Sequence, residues 1–425
     1  MTIFGKPMLD FTDLVLLIGT NPLPNFVVAQ YFLRHNRNLQ NIWLVYSEET
    51  GLQEGTVTQA NNLEKVLERR DAKAKGITFP LQKVSLSNVS DAQQVFQDVN
   101  DKLISKLRCN CRIHLNYTGG TKVMATHVYK TIDKESSKIS DKSFSYLDSR
   151  GFQVVDDKYG IITGDLREEI SLTFDELIEL HGFRRKNEDS DSNFSNAVEA
   201  FESLINEERL DEYFTSYNRT LFESKKKPGS LARKVSELRE KELNKFTPSD
   251  TFLSIVEKMP EGYRLFDPNG NFLKPQTNRH CKYAIGFLDG LWLEDYISSV
   301  LKSELGYPNT EVLKHWVIDK SGWSTEFQLD VILLRGYQLI GISCTTSSKK
   351  EICKNKGFEI IHRSRQIGGE EAKAILVAMV NEGLRRSLQE ELELDTGGTS
   401  ANILVLGKED LKRERLSKKV KDFVA

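Results

Sequence analysis

The chain has little to cross-link it and no charge of either sign to spare. Its five cysteines (Cys109, Cys111, Cys281, Cys344, Cys353) are odd in number and contain no CxxC pair, which argues against a disulfide framework. Fifty-nine basic residues stand against 61 acidic ones, a net charge of −2, so no global basic field exists and any contact with nucleic acid must be local. The N-terminus, MTIFGKPMLDFTD, lacks the basic start and apolar core of a signal peptide. No apolar run approaches the roughly 20 residues of a transmembrane helix. The expectation is a cytoplasmic protein without membrane contact. The four tryptophans are scattered and read as core rather than as base-stacking platforms.

What is present is alternation. A chain of 425 residues should hold two or three domains. Over residues 1–165, apolar strands (DLVLLIG, NIWLVYS, FPLQKVSL, CRIHLNYT) alternate with helical patterns, the third helix starting on the Asp91 cap. That order predicts a doubly wound α/β sheet, with ligands beyond the carboxyl ends of its strands. Cys109 and Cys111 are expected to alternate in the fourth strand as free thiols.

Within Cys111–Lys130, the segment TGGTK joins that strand to a helix carrying Val123, Met124, His127 and Val128 at helical spacing. Glycines permit a sharp bend and a close approach. The first N–H groups of the helix are unpaired and its dipole is positive there. With Lys122 and the hydroxyls of Thr118 and Thr121, the junction can cradle a phosphate. It is not a Walker A loop, whose glycine and GK are four residues apart. GTNPLPN, after the first strand, opens on the same sheet edge and offers Thr20, Asn21 and Asn25 as polar groups and a helix cap.

FSYLDSRGFQVVDD reads as a hairpin, SLTFDELIELHGF as a helix and RRKNEDSDSN as a linker. Residues 191–280 carry helical patterns, including LARKVSELREKELNKF, and ESKKKPGS is the most basic local patch. A second α/β unit starts near Cys281: a helix (GFLDGLWLEDYISSVLKSEL), a hairpin turning at RGYQ, a strand and loop in FEIIHRSRQIGG, and a long helix in EEAKAILVAMVNEGLRRSL. The tail KEDLKRERLSKKVKDF reads as a charged helix. His114 and His127 read as packed or solvated.

GTNPLPN with NYTGGTK resembles the CARF domain, the Rossmann-like sensor of CRISPR-associated proteins. GLWLEDY, QLDVILL, ISCTT and HRSRQIGG resemble the restriction-endonuclease-like (PD-(D/E)xK) domain of one group of type III CRISPR ancillary nucleases. The resemblance implies an N-terminal Rossmann-like CARF domain (1–165), a helical middle segment (166–280) and a C-terminal restriction-endonuclease-like domain (281–425). It implies a homodimer whose pocket, formed by Gly19, Thr20, Asn21, Pro22, Leu23, Pro24, Asn25, Thr118, Gly119, Gly120, Thr121 and Lys122, binds cyclic tetra-adenylate. It implies a nuclease for single-stranded RNA or DNA, with Asp330 and Glu326 on Mn²⁺ or Mg²⁺ and Glu294 closing the site. Where the family reads Glu-x-Lys, this chain reads Ser343-Cys344-Thr345. Ser343, Thr345 and Lys349 then stand as the groups that position the scissile phosphate, with Lys350, Arg363 and Arg365 as other cations nearby. Alternatives are a ligand-gated nucleic-acid binder with a degenerate nuclease site, a ring nuclease acting on its own activator, and a ligand-controlled transcription regulator.

Overall fold

The computed structural model describes residues 2–3, 6–7, 9–51, 54–75, 81–186, 193–305, 310–320, 326–397 and 402–425. A two-stranded ribbon, β1 (Thr2–Ile3) and β2 (Lys6–Pro7), leads into the first sheet. That sheet is built from β3 (Asp13–Leu17), α1 (Leu23–His35), β4 (Asn41–Ser47), α2 (Val57–Lys75), β5 (Leu81–Leu86), α3 (Ala92–Lys102), β6 (Cys111–Asn116), α4 (Lys122–Lys134), β7 (Ile139–Asp148), β8 (Gln153–Asp156) and β9 (Gly160–Ile161). The strand order is β5-β4-β3-β6-β7-β8-β9, parallel as far as β7. The period of two divides β3 between two cores. Leu14 and Leu16 pack with α1 and α2, whereas Val15 and Leu17 pack with α3 and α4. The chain reverses direction of winding between β3 and β6, so the loops after both strands open side by side.

After α5 (Phe174–Leu180), β10 (Phe183–Lys186) joins a second sheet of six strands in sequential order. Its other members are β11 (Thr310–Lys320), β12 (Glu326–Arg335), β13 (Gln338–Thr345), β14 (Lys373–Ala378) and β15 (Ile403–Leu406). Neighbours are antiparallel through β13 and parallel beyond it. One face packs on α12 (Lys350–Gly368) and α13 (Glu382–Asp395), in a core continuous with the α1/α2 side of the first sheet. The other face is covered by α6 (Ser195–Asn206), α7 (Leu210–Ser216), α9 (Asp250–Lys258), α10 (Asn278–Gly286), α11 (Trp292–Glu304) and α14 (Arg413–Val424). The short α8 (Glu240–Leu243) lies in the same layer.

Several elements differ from expectation. FEIIHRSRQIGG is the second half of α12, because Cys353, Gly357, Ile360, Ile361, Ser364 and Ile367 are buried at spacings of three and four. The expected long helix of EEAKAILVAMVNEGLRRSL holds β14 and then α13. AILVA is an apolar run paired on both sides, and Asn381 caps the helix by accepting from Leu384 N–H. Arg184–Lys186 is strand rather than linker, and residues 187–192 lie outside the described residues. Most of Leu231–Phe246 is not helical. Ala232 N–H donates to Phe222 O and Lys225 N–H to Glu237 O, so pairing across a loop competes successfully with helix propensity. Cys109 lies outside β6 and is exposed. The charged tail buries Leu416, Val420 and Val424, and Arg167 donates to the carbonyls of Val424 and Ala425.

Candidate functional site

Two sites take shape, one on each sheet. At the first, the β3–α1 and β6–α4 loops touch: a Cβ on Gly19 would lie 2.9 Å from Gly120 N, and one on Gly119 would lie 2.0 Å from Leu17 O. Gly120 has φ +74°, a conformation that favours glycine. Thr121 caps α4 by accepting from Met124 N–H, and Lys122, its first residue, is exposed. Gly19, Thr20, Asn21, Thr118, Gly119, Gly120, Thr121 and Lys122 thus retain surface at one edge. Pro22, Leu23, Pro24 and Asn25 do not: Pro22 is the buried residue that precedes α1, and the other three form its buried start. Asn25, expected as a cap, instead donates its side-chain N–H to Leu17 O, pinning the loop. Thr118 Oγ1 is engaged with Asn116 Oδ1 and Leu147 N–H, which leaves Lys122 and the free N–H groups of α4 as the cradle. His114 is a packed residue, stacked on Phe11 and hydrogen-bonded to Ser143 and Ser145.

Asn21 faces the second unit. Its Oδ1 accepts from Leu23 N–H and lies 3.1 Å from His181 Nε2, and a Cβ on Gly369 would sit 1.9 Å from its Nδ2. Gly369 ends α12 with φ +73°.

The second site centres on Asp330. In β12 it stands between the pairings Trp316–Leu329 and Lys314–Val331, opposite His315 of β11. On its other flank Ser343 Oγ donates to Asp330 Oδ2 at 3.0 Å and Cys344 N–H donates to the same oxygen at 2.9 Å. His315 has φ +56°, uncommon for a residue with a side chain. Its Nε2 lies 3.1 Å from Asp295 Oδ1. Its Nδ1 forms an ion pair with the buried Glu294 Oε2 at 2.8 Å, in a geometry poor for a hydrogen bond. Lys314 pairs with Asp295. Glu294, Asp295, Lys314, His315, Glu326, Cys344 and Thr345 line a cleft of ≈ 900 Å³.

The expected pair of metal ligands does not assemble. Glu326 shares a strand face with Asp330, but four residues of strand separate them by about 13 Å. Glu326 is half exposed and paired with Lys186. With Ser343 in place of the second carboxylate, no three acidic, histidine or cysteine side chains among the described residues are placed to hold a metal ion. The donor set does not fit a dedicated Mn²⁺ or Mg²⁺ centre, which takes oxygen ligands. Among the expected cations, Lys349 is exposed and Lys350 pairs with Glu391. The lysine that bears on Asp330 is Lys356, two turns further along α12, and it acts alongside His315.

In sequence, residues 14–150 match the family described as Card1 CARF domain. The first sheet is CARF-like. No curated protein matches the chain in sequence. In fold, the chain resembles Can2 from Sulfobacillus thermosulfidooxidans, solved in complex with cyclic tetra-adenylate. The TM-score is 0.64 at 15% identity, over 98% of this chain and 100% of that one. VC1899 from Vibrio cholerae gives a TM-score of 0.67 at 14% identity, over 96% and 98% of the two chains. The CARF-like sheet, the middle helices and the second sheet therefore recur together as one architecture.

The electrostatics of the second site are unusual. Burial raises the Glu294 carboxyl to about 7, with Asp330 adding to the effect and His315 opposing it. Burial opposes the His315 imidazolium, but the Asp295 and Glu294 carboxylates outweigh it and raise His315 to about 9. Burial also raises Asp330. The folded state thus holds the Glu294 proton more tightly than the unfolded chain from about pH 4.5 to 7, and the His315 proton from about 6.5 to 9. Both terms reduce stability as pH rises, by at most ~1.4 kcal/mol per pH unit for each group. Thermal melts are expected to show Tm falling from pH 5 to pH 9. His315→Gln should remove the upper limb, and an unchanged limb in that variant would contradict the assignment.

Proposed function

We propose that the protein is a cyclic-oligoadenylate-gated effector of type III CRISPR antiviral defence. In this reading residues 1–165 sense the ligand, and 281–425 cut single-stranded nucleic acid together with β10 and α6 to α10 of 166–280, which belong to or cover the second sheet rather than joining two units. The observation that carries the reading is the β3–β6 edge. Two glycine-bearing loops in contact, a free helix N-terminus and an exposed Lys122 suit a ring of phosphates, and cyclic tetra-adenylate is the expected ligand. The CARF match over residues 14–150, and a fold shared with a protein solved in complex with that ligand, support it. A ring lying on a two-fold axis calls for a homodimer. Exposed Val123, beside Lys122, and exposed Phe96 on α3, which packs on α4, supply apolar surface for one.

RNA suits the second site best, because it brings its own nucleophile. The 2′-hydroxyl attacks the adjacent phosphorus and its proton passes to Glu294. The P–O5′ bond then breaks, and the leaving oxygen takes a proton from His315. Asp330 holds the β13 backbone, while Thr345 and Lys314 border the phosphate path. Incubation of labelled single-stranded RNA with cyclic tetra-adenylate and EDTA is expected to give ends carrying 2′,3′-cyclic phosphate. Cleavage that requires Mn²⁺ would overturn this chemistry. Absence of cleavage of RNA or DNA with the ligand and Mn²⁺ together would favour a ligand-gated binder, the reading that Ser343-Cys344-Thr345 supports.

A further inference from the structure

The basic patch ESKKKPGS does not lie apart from the second site. Glu223 and Leu231 pair across a tight loop, Ser224 N–H donates to Ser230 O, and Gly229 turns it with φ +81°. Gly229 to Arg233 line the cleft that holds Glu294 and His315. Lys225, Lys226, Lys227, Arg233 and Lys234 project from this loop and are exposed. Their side chains enter no ion pair among the described residues. Of the acids nearby, Glu223 accepts from Arg219 and Gly229 N–H and Asp289 from Arg219 and Tyr217, while Glu237 accepts from the backbone N–H groups of Arg233 and Lys234 and is the one carboxylate that feels the charges of Lys226 and Lys234. α10, whose Asn278 accepts from Val235 N–H at the end of the loop, adds exposed Lys282 and the partly exposed Tyr283 to the same lining, with Arg279 and Lys282 over the Tyr283 ring at 5.9 and 5.2 Å.

Five exposed cations against one partly exposed carboxylate, on a hydrogen-bonded loop whose Gly229–Arg233 edge shares a cleft with an aromatic ring, form the pattern that follows a single strand: charges track the backbone and a ring receives a base. In a chain of net charge −2 this positive rim has no counterpart in overall composition. We infer that the loop 223–234, with Lys282 and Tyr283 of α10, is the entry track that delivers the sugar-phosphate chain of a single-stranded nucleic acid to Glu294 and His315. The inference rests on the proposed nucleic-acid function and assigns it a route through the middle segment.

The test is fluorescence anisotropy of a labelled 20-nucleotide RNA with the full chain and cyclic tetra-adenylate, across a salt series. A triple variant, Lys225→Glu, Lys226→Glu and Lys227→Glu, and a double variant, Arg233→Glu and Lys282→Glu, alter only exposed side chains, and melting confirms their fold. Each is expected to bind the RNA at least ~10-fold more weakly. The slope of log K against log salt should fall by about 0.7 for each phosphate no longer neutralised. Affinity for cyclic tetra-adenylate should not change. Wild-type affinity and slope in both variants would overturn the track while leaving the nucleic-acid reading intact. Failure of the wild-type protein to bind RNA or single-stranded DNA would instead remove the reading beneath it.

Discussion

Gly119→Ala is expected to abolish binding of cyclic tetra-adenylate. The added methyl group would fall 2.0 Å from Leu17 O and 3.0 Å from Asn25 Oδ1. The first is backbone at the end of β3, already accepting from Asn25, so neither atom can yield without loosening the α1 loop. Overpacking of this kind costs about 1–3 kcal/mol and drives apart the two loops that form the cradle. Calorimetric titration should show at least a ~100-fold loss of affinity, with a lowered Tm. Lys122→Ala separates charge from packing, since Lys122 is exposed and its removal leaves the junction closed. It should weaken binding by about 10-fold with Tm unchanged. Unaltered affinity in both variants would show that the ligand sits elsewhere.

The second large effect belongs to Asp330. Alanine there would leave Ser343 Oγ and the Cys344 N–H without their acceptor, confounding chemistry with folding. Asp330→Asn is the better variant, because its amide oxygen still accepts from Cys344 N–H while the charge facing His315 disappears. Ligand-stimulated cleavage is expected to fall at least ~100-fold with Tm shifted by a few degrees at most. Full activity in this variant would show that the Asp330 charge facing His315 has no part in the reaction and that the residue only holds the β13 backbone. Parallel measurement of ligand affinity should show no change, since the retained hydrogen bond from Cys344 N–H leaves β13 and the start of α12 in place.

Residues whose signal is periodic or local are legible in the sequence. The alternation of β3 to α4 predicts the first sheet, and the adjacency of the GTNPLPN and TGGTK loops follows from the doubly wound order. Asp330, Glu294 and the RGYQ turn stand where the hairpin and helix patterns put them. His315 and Lys356 carry no such signal. Nothing in the local sequence around His315 points to a left-handed backbone angle, and its partners come from a helix some twenty residues earlier. Lys356 is hidden because reading FEIIHRSRQIGG as a strand leaves the residues before it as a short loop, without the helical turns that carry Lys356 toward Asp330. Glu326 shows the converse: sharing a face by alternation says nothing about reach along the strand. Pro22 to Asn25 fall among the expected ligand residues because loop composition does not disclose that the helix has already begun.

The 19 residues of α12 form a rod of about 28 Å. One end begins just beyond Thr345, at the mouth of the cleft; the other stops at Gly369 against Asn21. A guest that recruits the Asn21 amide must take it from His181 and from the seat of that glycine, so occupancy at one sheet and the resting position of the rod at the other draw on the same few atoms. Under the proposed function, ligand affinity and cleft geometry are then expected to be two readings of a single balance, so that tightening either end resets the other.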